Sequence, residues 1–206
     1  KLALVTQGVA QDALLDSYHD ERRPAAEENL RVTSRSARFL APRNNAEHTL
    51  RRAVVDLAAR YPFARAMVNT GRMSVANAYP GAAHLPDGAC TVQNLALAWQ
   101  DGRPTSTVEL LRERPNNCLG LWIAPTRAQA AAAGDLPPDL PLQLLAVGGD
   151  SGLPTLRTDE TLARHLGSPP AGSLVLVRPD AYRTACLAQP DAASITALLR
   201  TALSLR

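Results

Sequence analysis

The chain has 206 residues, 46% of them apolar and 20% charged, with a formal net charge of +3. That is enough apolar material for one domain with a helical extension, or for two small units. No apolar run approaches the roughly 18 residues of a membrane span, and no basic-then-apolar leader precedes a small-residue cleavage site.

The positive balance invites a nucleic-acid reading, which the distribution of charge excludes. Lys1 is the sole lysine, and the arginines between positions 22 and 52 are interleaved with Asp20, Glu21, Glu27, Glu28 and Glu47. Such a pattern suits exposed helix faces laced with i,i+4 pairs rather than a stripe that tracks phosphates. Cys90, Cys118 and Cys186 are odd in number and widely spaced. They form no C-x-x-C or Cys/His grouping for zinc and read as reduced thiols of a cytoplasmic protein.

In chain order, residues 1–66 read as helices. Lys1 rather than Met opens the chain and residues 2–5 are already apolar, the pattern of a chain that begins inside a longer helix. Ala13, Leu14, Tyr18, Ala25, Ala26 and Leu30 recur at intervals of roughly three and four, opposite charged positions. Pro24 either kinks this helix or restarts it from its first turn. A second helix is expected over about 46–60, with Leu50, Val54 and Leu57 on one face, ended by Tyr61-Pro62. These helices hold too few large apolar residues to fold convincingly alone, so they call for another surface to cover.

Residues 67–88 break the periodicity with Asn, Gly and Pro and read as a connector. From residue 89 the period changes to that of strands. Short strands are expected over 90–92 and 95–99, then a buried one over 119–124 closed by Pro125. Thr126 then caps a helix over 127–133. A second apolar strand covers 142–147 and stops at Gly148-Gly149, and a short helix covers 160–166. Residues 174–178, Pro179-Asp180, and 182–186 read as an antiparallel hairpin. Asp191 caps a last helix over 192–203, with Ile195, Leu198, Leu199 and Leu203 facing inward. From Leu119 the order is β-α-β, then β-β-α.

Two motifs carry a family resemblance. Leu14-Leu15-Asp16-Ser17-Tyr18-His19-Asp20-Glu21-Arg22-Arg23-Pro24 resembles the "L-L-x-x-Y-x-x-E-R-R-P" segment of the FAD-dependent aromatic-ring hydroxylases, the phenol hydroxylase and 3-(3-hydroxyphenyl)propionate hydroxylase group of flavin monooxygenases. Leu176-Val177-Arg178-Pro179-Asp180 resembles the "L-V-R-P-D-G" hairpin near the end of the same group. The two stand in the family's order and at compatible spacing. The resemblance implies an α/β chain: a helical segment over 1–66 that packs on an absent FAD domain, a connector over 67–88, and a thioredoxin-like domain over 89–206 with a mixed βαβ-ββα sheet and no C-x-x-C.

The resemblance also implies a function for a longer parent enzyme. That parent uses NAD(P)H to reduce FAD and hydroxylates a phenolic ring. This piece would brace the flavin domain and support subunit contacts, binding no cofactor and catalysing nothing by itself. Its expected partners are the FAD-binding and substrate domains of the same chain and further copies of itself; nucleic acid and membrane are not expected. The rival class is a stand-alone, redox-inactive thioredoxin-like module that binds another protein. A further alternative is a subunit that docks on a separate flavin-binding chain.

The sequence departs from the family pattern in three ways, the simplest being Ala185-Cys186 where Trp-Arg often stands. Ala181 stands where the hairpin has Gly, and alanine at positive φ costs on the order of 1 kcal/mol, so the turn is open to another geometry. The dinucleotide fingerprint G-x-G-x-x-G occurs nowhere, and Gly148-Gly149-Asp150 lacks the spaced glycine that opens a helix.

No residue is assigned a catalytic, cofactor-binding or metal role. Thiol chemistry needs a thiolate where the first long strand meets its helix, and Ala124-Pro125-Thr126-Arg127 contains no sulfur; Cys118 lies at the strand's other end. Tyr18, Glu21, Arg22 and Arg23 are read as a structural Arg–carboxylate clamp rather than a catalytic group. His19, His48, His84 and His165 do not cluster. Ser173, Asp180 and His165 form a triad only on paper, without a nucleophile elbow.

Overall fold

The computed structural model describes residues 1–68 and 91–205. Four helices come first: α1 (Leu2–Thr6), α2 (Ala13–Leu40), α3 (Asn45–Ala58) and α4 (Pro62–Val68). The connector expected over 67–88 lies almost entirely outside the described residues, as do Cys90 and His84. After it come β1 (Ala96–Ala98), β2 (Pro104–Ser106), α5 (Thr107–Glu113), β3 (Cys118–Ile123), α6 (Arg127–Ala132), β4 (Leu142–Val147), β5 (Thr155–Leu156), α7 (Glu160–His165), β6 (Leu174–Val177), β7 (Arg183–Leu187) and α8 (Ala192–Leu203).

The chain is an α/β protein built on a mixed five-stranded sheet of order β5-β4-β3-β6-β7. β3 pairs parallel with β4 through the α6 crossover, and β4 pairs parallel with β5. β6 lies antiparallel to β3 on its other side, and β7 antiparallel to β6. The elements read from Leu119 onward as β-α-β then β-β-α occur in that order as β3, α6, β4 and β6, β7, α8, with β5 and α7 between the two halves.

Alternation along the two central strands decides which side chains go where. Leu119 and Leu121 of β3 and Val175 and Val177 of β6 enter one apolar cluster, with Leu110, Leu162 and Leu166 from α5 and the α7 region. Cys118 and Trp122, with Leu174 and Leu176, enter the opposite cluster, which Ile195, Leu199 and Leu203 of α8 cover. A period of two sends neighbours to opposite faces, and both faces are covered, so the strands read as unbroken apolar runs. Between Cys118 and Trp122, Gly120 leaves the space that Leu142, Leu144 and Leu174 fill; a Cβ there would stand 2.6 Å from a Leu144 methyl.

Leu4, Ala10 and Leu14 belong to the cluster under α8. The compact units accordingly divide as Lys1–Tyr18 with Pro80–Arg206, and His19–Tyr79. Leu4 and Leu14 share the buried cluster of Trp122, and residues 1–18 group with the sheet unit. α2 continues through Pro24 as one 28-residue helix, which settles the choice left open at that proline. α3 starts on an Asn44 cap whose side chain accepts from the Glu47 amide, and Pro62 opens α4 as well as following the end of α3.

Three short elements were not expected: β2, α5 and β5. β1 pairs with β2, and Ser106 caps α5 by accepting from the Glu109 amide. Thr91 forms an isolated bridge to Tyr182 rather than part of a strand. The caps foreseen at Thr126 and Asp191 are both present as reciprocal capping boxes, with Gln129 and Ser194.

Trp122 is 1% exposed and its indole N–H donates to the Gly172 carbonyl at 3.0 Å. Trp122→Ala should lower the stability of the sheet unit by about 3–5 kcal/mol, measured by urea unfolding followed by circular dichroism. A loss under about 1 kcal/mol would contradict the central placement of this side chain.

Candidate functional site

Three places carry the chemistry the sequence singles out. The first is the junction of β3 and α6. Ala124 takes a left-handed φ of 39°, and Thr126 caps α6 with Gln129 returning its side-chain oxygen to the Thr126 amide at 2.8 Å. Arg127 pairs with Asp150 at 2.6 Å, but both side chains are more than three-quarters exposed, so the pair contributes at most about 1 kcal/mol. No sulfur lies at this junction, and the thiolate that such a strand-to-helix position would activate is absent from Ala124 to Arg127.

Cys118 starts β3, at the end of the strand away from that junction. It is buried, and burial pushes its thiol up to about 12, with the Arg178 guanidinium opposing and the Asp180 carboxylate reinforcing the shift. A thiol of that kind is an inert core group. Cys186 on β7 is exposed.

The second place is the β6–β7 turn. The Ala181 amide donates to the Arg178 carbonyl at 2.9 Å, and the Arg178 amide to the Tyr182 carbonyl at 2.8 Å. Ala181 sits at φ 66°. The turn thus keeps the three-residue geometry that normally takes Gly in its left-handed position, and alanine bears the strain. Arg178 is 6% exposed; its guanidinium is held by the Asp180 carboxylate and lies 5.8 Å from the Tyr182 ring centroid. Asp180 is thereby committed to a local clamp. His165 Nδ1 lies 2.8 Å from the Thr161 carbonyl within α7, and Ser173 is buried in the core. The paper triad of Ser173, Asp180 and His165 is not linked by any side-chain hydrogen bond.

The third place is the charged run of α2. Arg23 bonds Glu27 at 2.8 Å on the exposed helix face, an i,i+4 pair, while Tyr18 is 57% exposed and His19 is exposed. His48 is exposed on α3. Among the described residues no three His, Cys, Asp or Glu side chains gather to hold a metal, and no helix is long and apolar enough to cross a membrane.

Gly148-Gly149 does not form a dinucleotide fingerprint. Gly148 and Gly149 do end a parallel strand, with φ of 72° and 79°. The chain then turns into β5, and its next helix is α7 at Glu160, so those glycines do not open a helix as a dinucleotide fingerprint requires.

One signal passed unnoticed in the sequence. Every strongly exposed large apolar side chain among the described residues falls within 2–68, including Leu30, Leu50, Tyr61 and Phe63. Arg31, Arg35 and Arg38 recur at helical spacing in the same region, and that spacing beside Val32 and Phe39 was the available clue.

No family model matches the chain. A curated relative, 4-methyl-5-nitrocatechol 5-monooxygenase of a Burkholderia species, is 32% identical over 98% of this chain and 38% of its own length. The solved aklavinone-11 hydroxylase, in complex with FAD and aklavinone, shares the fold at TM-score 0.64 and 23% identity, over 98% of this chain and 37% of the other. An aromatic hydroxylase from angucycline biosynthesis is 25% identical at TM-score 0.51, over all of this chain and 39% of its own. The chain therefore spans less than two fifths of the length of each of these three relatives.

Two expectations arise from the geometry. Ala181→Gly should raise stability by about 0.5–1 kcal/mol by relieving the left-handed alanine, read as a higher urea midpoint; a lower midpoint would mean that the turn is unstrained. Iodoacetamide at pH 8 should alkylate Cys186 in the native protein and leave Cys118 unlabelled by peptide mapping. Comparable labelling of both would contradict the burial of Cys118.

Proposed function

From a resemblance to FAD-dependent aromatic hydroxylases that covers nearly the whole chain, we propose that these residues are the C-terminal portion of such an enzyme. The full polypeptide would use NAD(P)H and FAD to hydroxylate a phenolic ring in the cytoplasm. FAD would supply the oxygen-activating chemistry when bound to the preceding part. The residues of this chain would not touch it. Their work is mechanical: α2, α3 and α4 brace the flavin-binding body, and the sheet unit acts as a thioredoxin-like cap that supports contacts between subunits.

The observation that carries this reading is the extent of the resemblance. The 32% identity to the Burkholderia monooxygenase runs through 98% of the chain, so it includes the helical part as well as the sheet. A stand-alone thioredoxin-like module would account for the sheet and leave the helices without a purpose. The apolar side chains left exposed on α2, α3 and α4 support a covering body, and Leu50, Met67 and Val68 among them line one groove. The strand order and directions, with two parallel strands joined by α6 and an antiparallel hairpin beside them, support the thioredoxin-like description. Loss of the nucleophile at Ala124 to Arg127 supports a structural rather than a redox role for it.

Two measurements test the proposal. FAD titrated into the purified 206-residue chain should leave the visible spectrum of free flavin unchanged; a bound-flavin spectrum would overturn the division of labour. Genomic sequence upstream of Lys1 should continue in frame through a G-x-G-x-x-G segment, and a start codon directly before Lys1 would favour the stand-alone module.

A further inference from the structure

Within the helical unit, α2, α3 and α4 enclose a groove of about 470 Å³. Phe39 of α2, Leu50 and Val54 of α3, and Met67 of α4 give it an apolar floor, and Leu50 and Met67 remain 57% and 41% exposed. Arg31, Arg35 and Arg38 line it from α2. Their spacing of four and three residues sets all three on one side of the helix.

The three guanidiniums are not equivalent. Arg38 bonds Glu47 at 3.1 Å. Glu47 also accepts the Arg43 backbone amide at 2.7 Å, and that bond foremost, with Arg38 assisting against partial desolvation, holds its carboxyl below the usual range. Among the described residues, Glu47 is the sole carboxylate lining the groove, and both its oxygens accept hydrogen bonds. Arg31 and Arg35 form no hydrogen bond or ion pair with any described residue. Residues 19–68 hold ten arginines against six carboxylates, so the surroundings add to the positive field instead of neutralising it.

An occupant must therefore bring apolar side chains for the floor and carboxylates for the two unpaired forks, which suit carboxylate geometry. From Arg31 to Arg38 the groove runs roughly 10 Å at about 1.5 Å per residue, close to two helical turns, the span of anchors at i, i+4 and i+7. Leu57, Tyr61 and Phe63 are exposed on the same helical unit. We propose that this groove seats an acidic, apolar-faced helix presented by the flavin-binding portion of the same polypeptide. The identity of the donor rests on the reading given under Proposed function; the chemistry of the occupant rests on the groove alone.

The probe is a fluorescein-labelled synthetic helix with leucines at i, i+4 and i+7 flanked by glutamates, alongside a counterpart with lysines in their place. Fluorescence anisotropy with the 206-residue chain should detect binding of the acidic helix and not of the basic one. R31E/R35E should weaken that binding by at least about tenfold through charge reversal at the rim, R31K/R35K should retain most of it, and L50D should abolish it. Circular dichroism on each variant separates lost binding from lost fold. Equal binding of both peptides, or an R31E/R35E variant that binds as well as the parent chain, overturns the proposal. In the full-length polypeptide the groove is already filled, so the acidic peptide should not bind there; binding there overturns the assigned donor. A chain that selects the acidic peptide yet also binds FAD by itself would uphold the groove and sink only the division of labour.

Discussion

The structure depends on the commitment of both faces of the central strands to apolar contact. In β3, Leu119 and Leu121 point one way and Cys118 and Trp122 the other; in β6, Val175 and Val177 oppose Leu174 and Leu176. A one-residue slip of either strand would exchange these sets and drive Trp122 into the wrong layer. Register is thereby held by side-chain volume, and Gly120 is the complement of that constraint, since it admits the leucines of β4 and β6 across the sheet. Fully burying each such aliphatic side chain is worth roughly 1.5–3 kcal/mol, so the double-faced burial outweighs any surface ion pair in the molecule. Helices α5, α7 and α8 are positioned by this sheet, and so are the first residues of the chain, through Leu4 and Leu14.

The same constraint explains where thiol chemistry is missing. A redox site on this scaffold would sit at the exposed end of β3 where α6 begins, yet there the chain has Ala124 and a Thr126 cap satisfied by Gln129. The sulfur that β3 does carry is at its other end, inside the core, where desolvation pushes it up to about 12. Position along one strand thus separates a reactive thiol from an inert one. The β6–β7 turn shows a related economy. Arg178, buried beside the Tyr182 ring and bound by Asp180, closes a three-residue loop firmly enough that Ala181 accepts a left-handed conformation.

The helical unit obeys a different logic. Its helices carry their apolar residues outward at Leu30, Leu50, Tyr61 and Phe63, and its arginines outnumber its acids. The sheet unit thus has two filled apolar layers, whereas the helical unit has an open groove.

Local chemistry and periodicity alone determined the long elements of this protein: the apolar runs of β3, β4 and β6, the capped starts of α6 and α8, and the amphipathic stretches of α2 and α3. These are decided by neighbours within a few residues, which is why Thr126, Asp191 and the alternation of residues 174–177 could be read directly. β2 and β5 exist through their pairing with β1 and β4, and α5 through its Ser106 cap, and none of them carries an apolar run of its own. Tertiary structure alone decided that Leu4 and Leu14 belong beneath α8, that Cys118 is buried while Cys186 is exposed, and that Arg38 reaches Glu47 nine residues away. It also decided the groove, because Phe39, Leu50 and Met67 lie on three different helices and share a wall only once those helices have packed. Desolvation and side-chain contact are properties of positions in space, and spacing along a chain does not contain them.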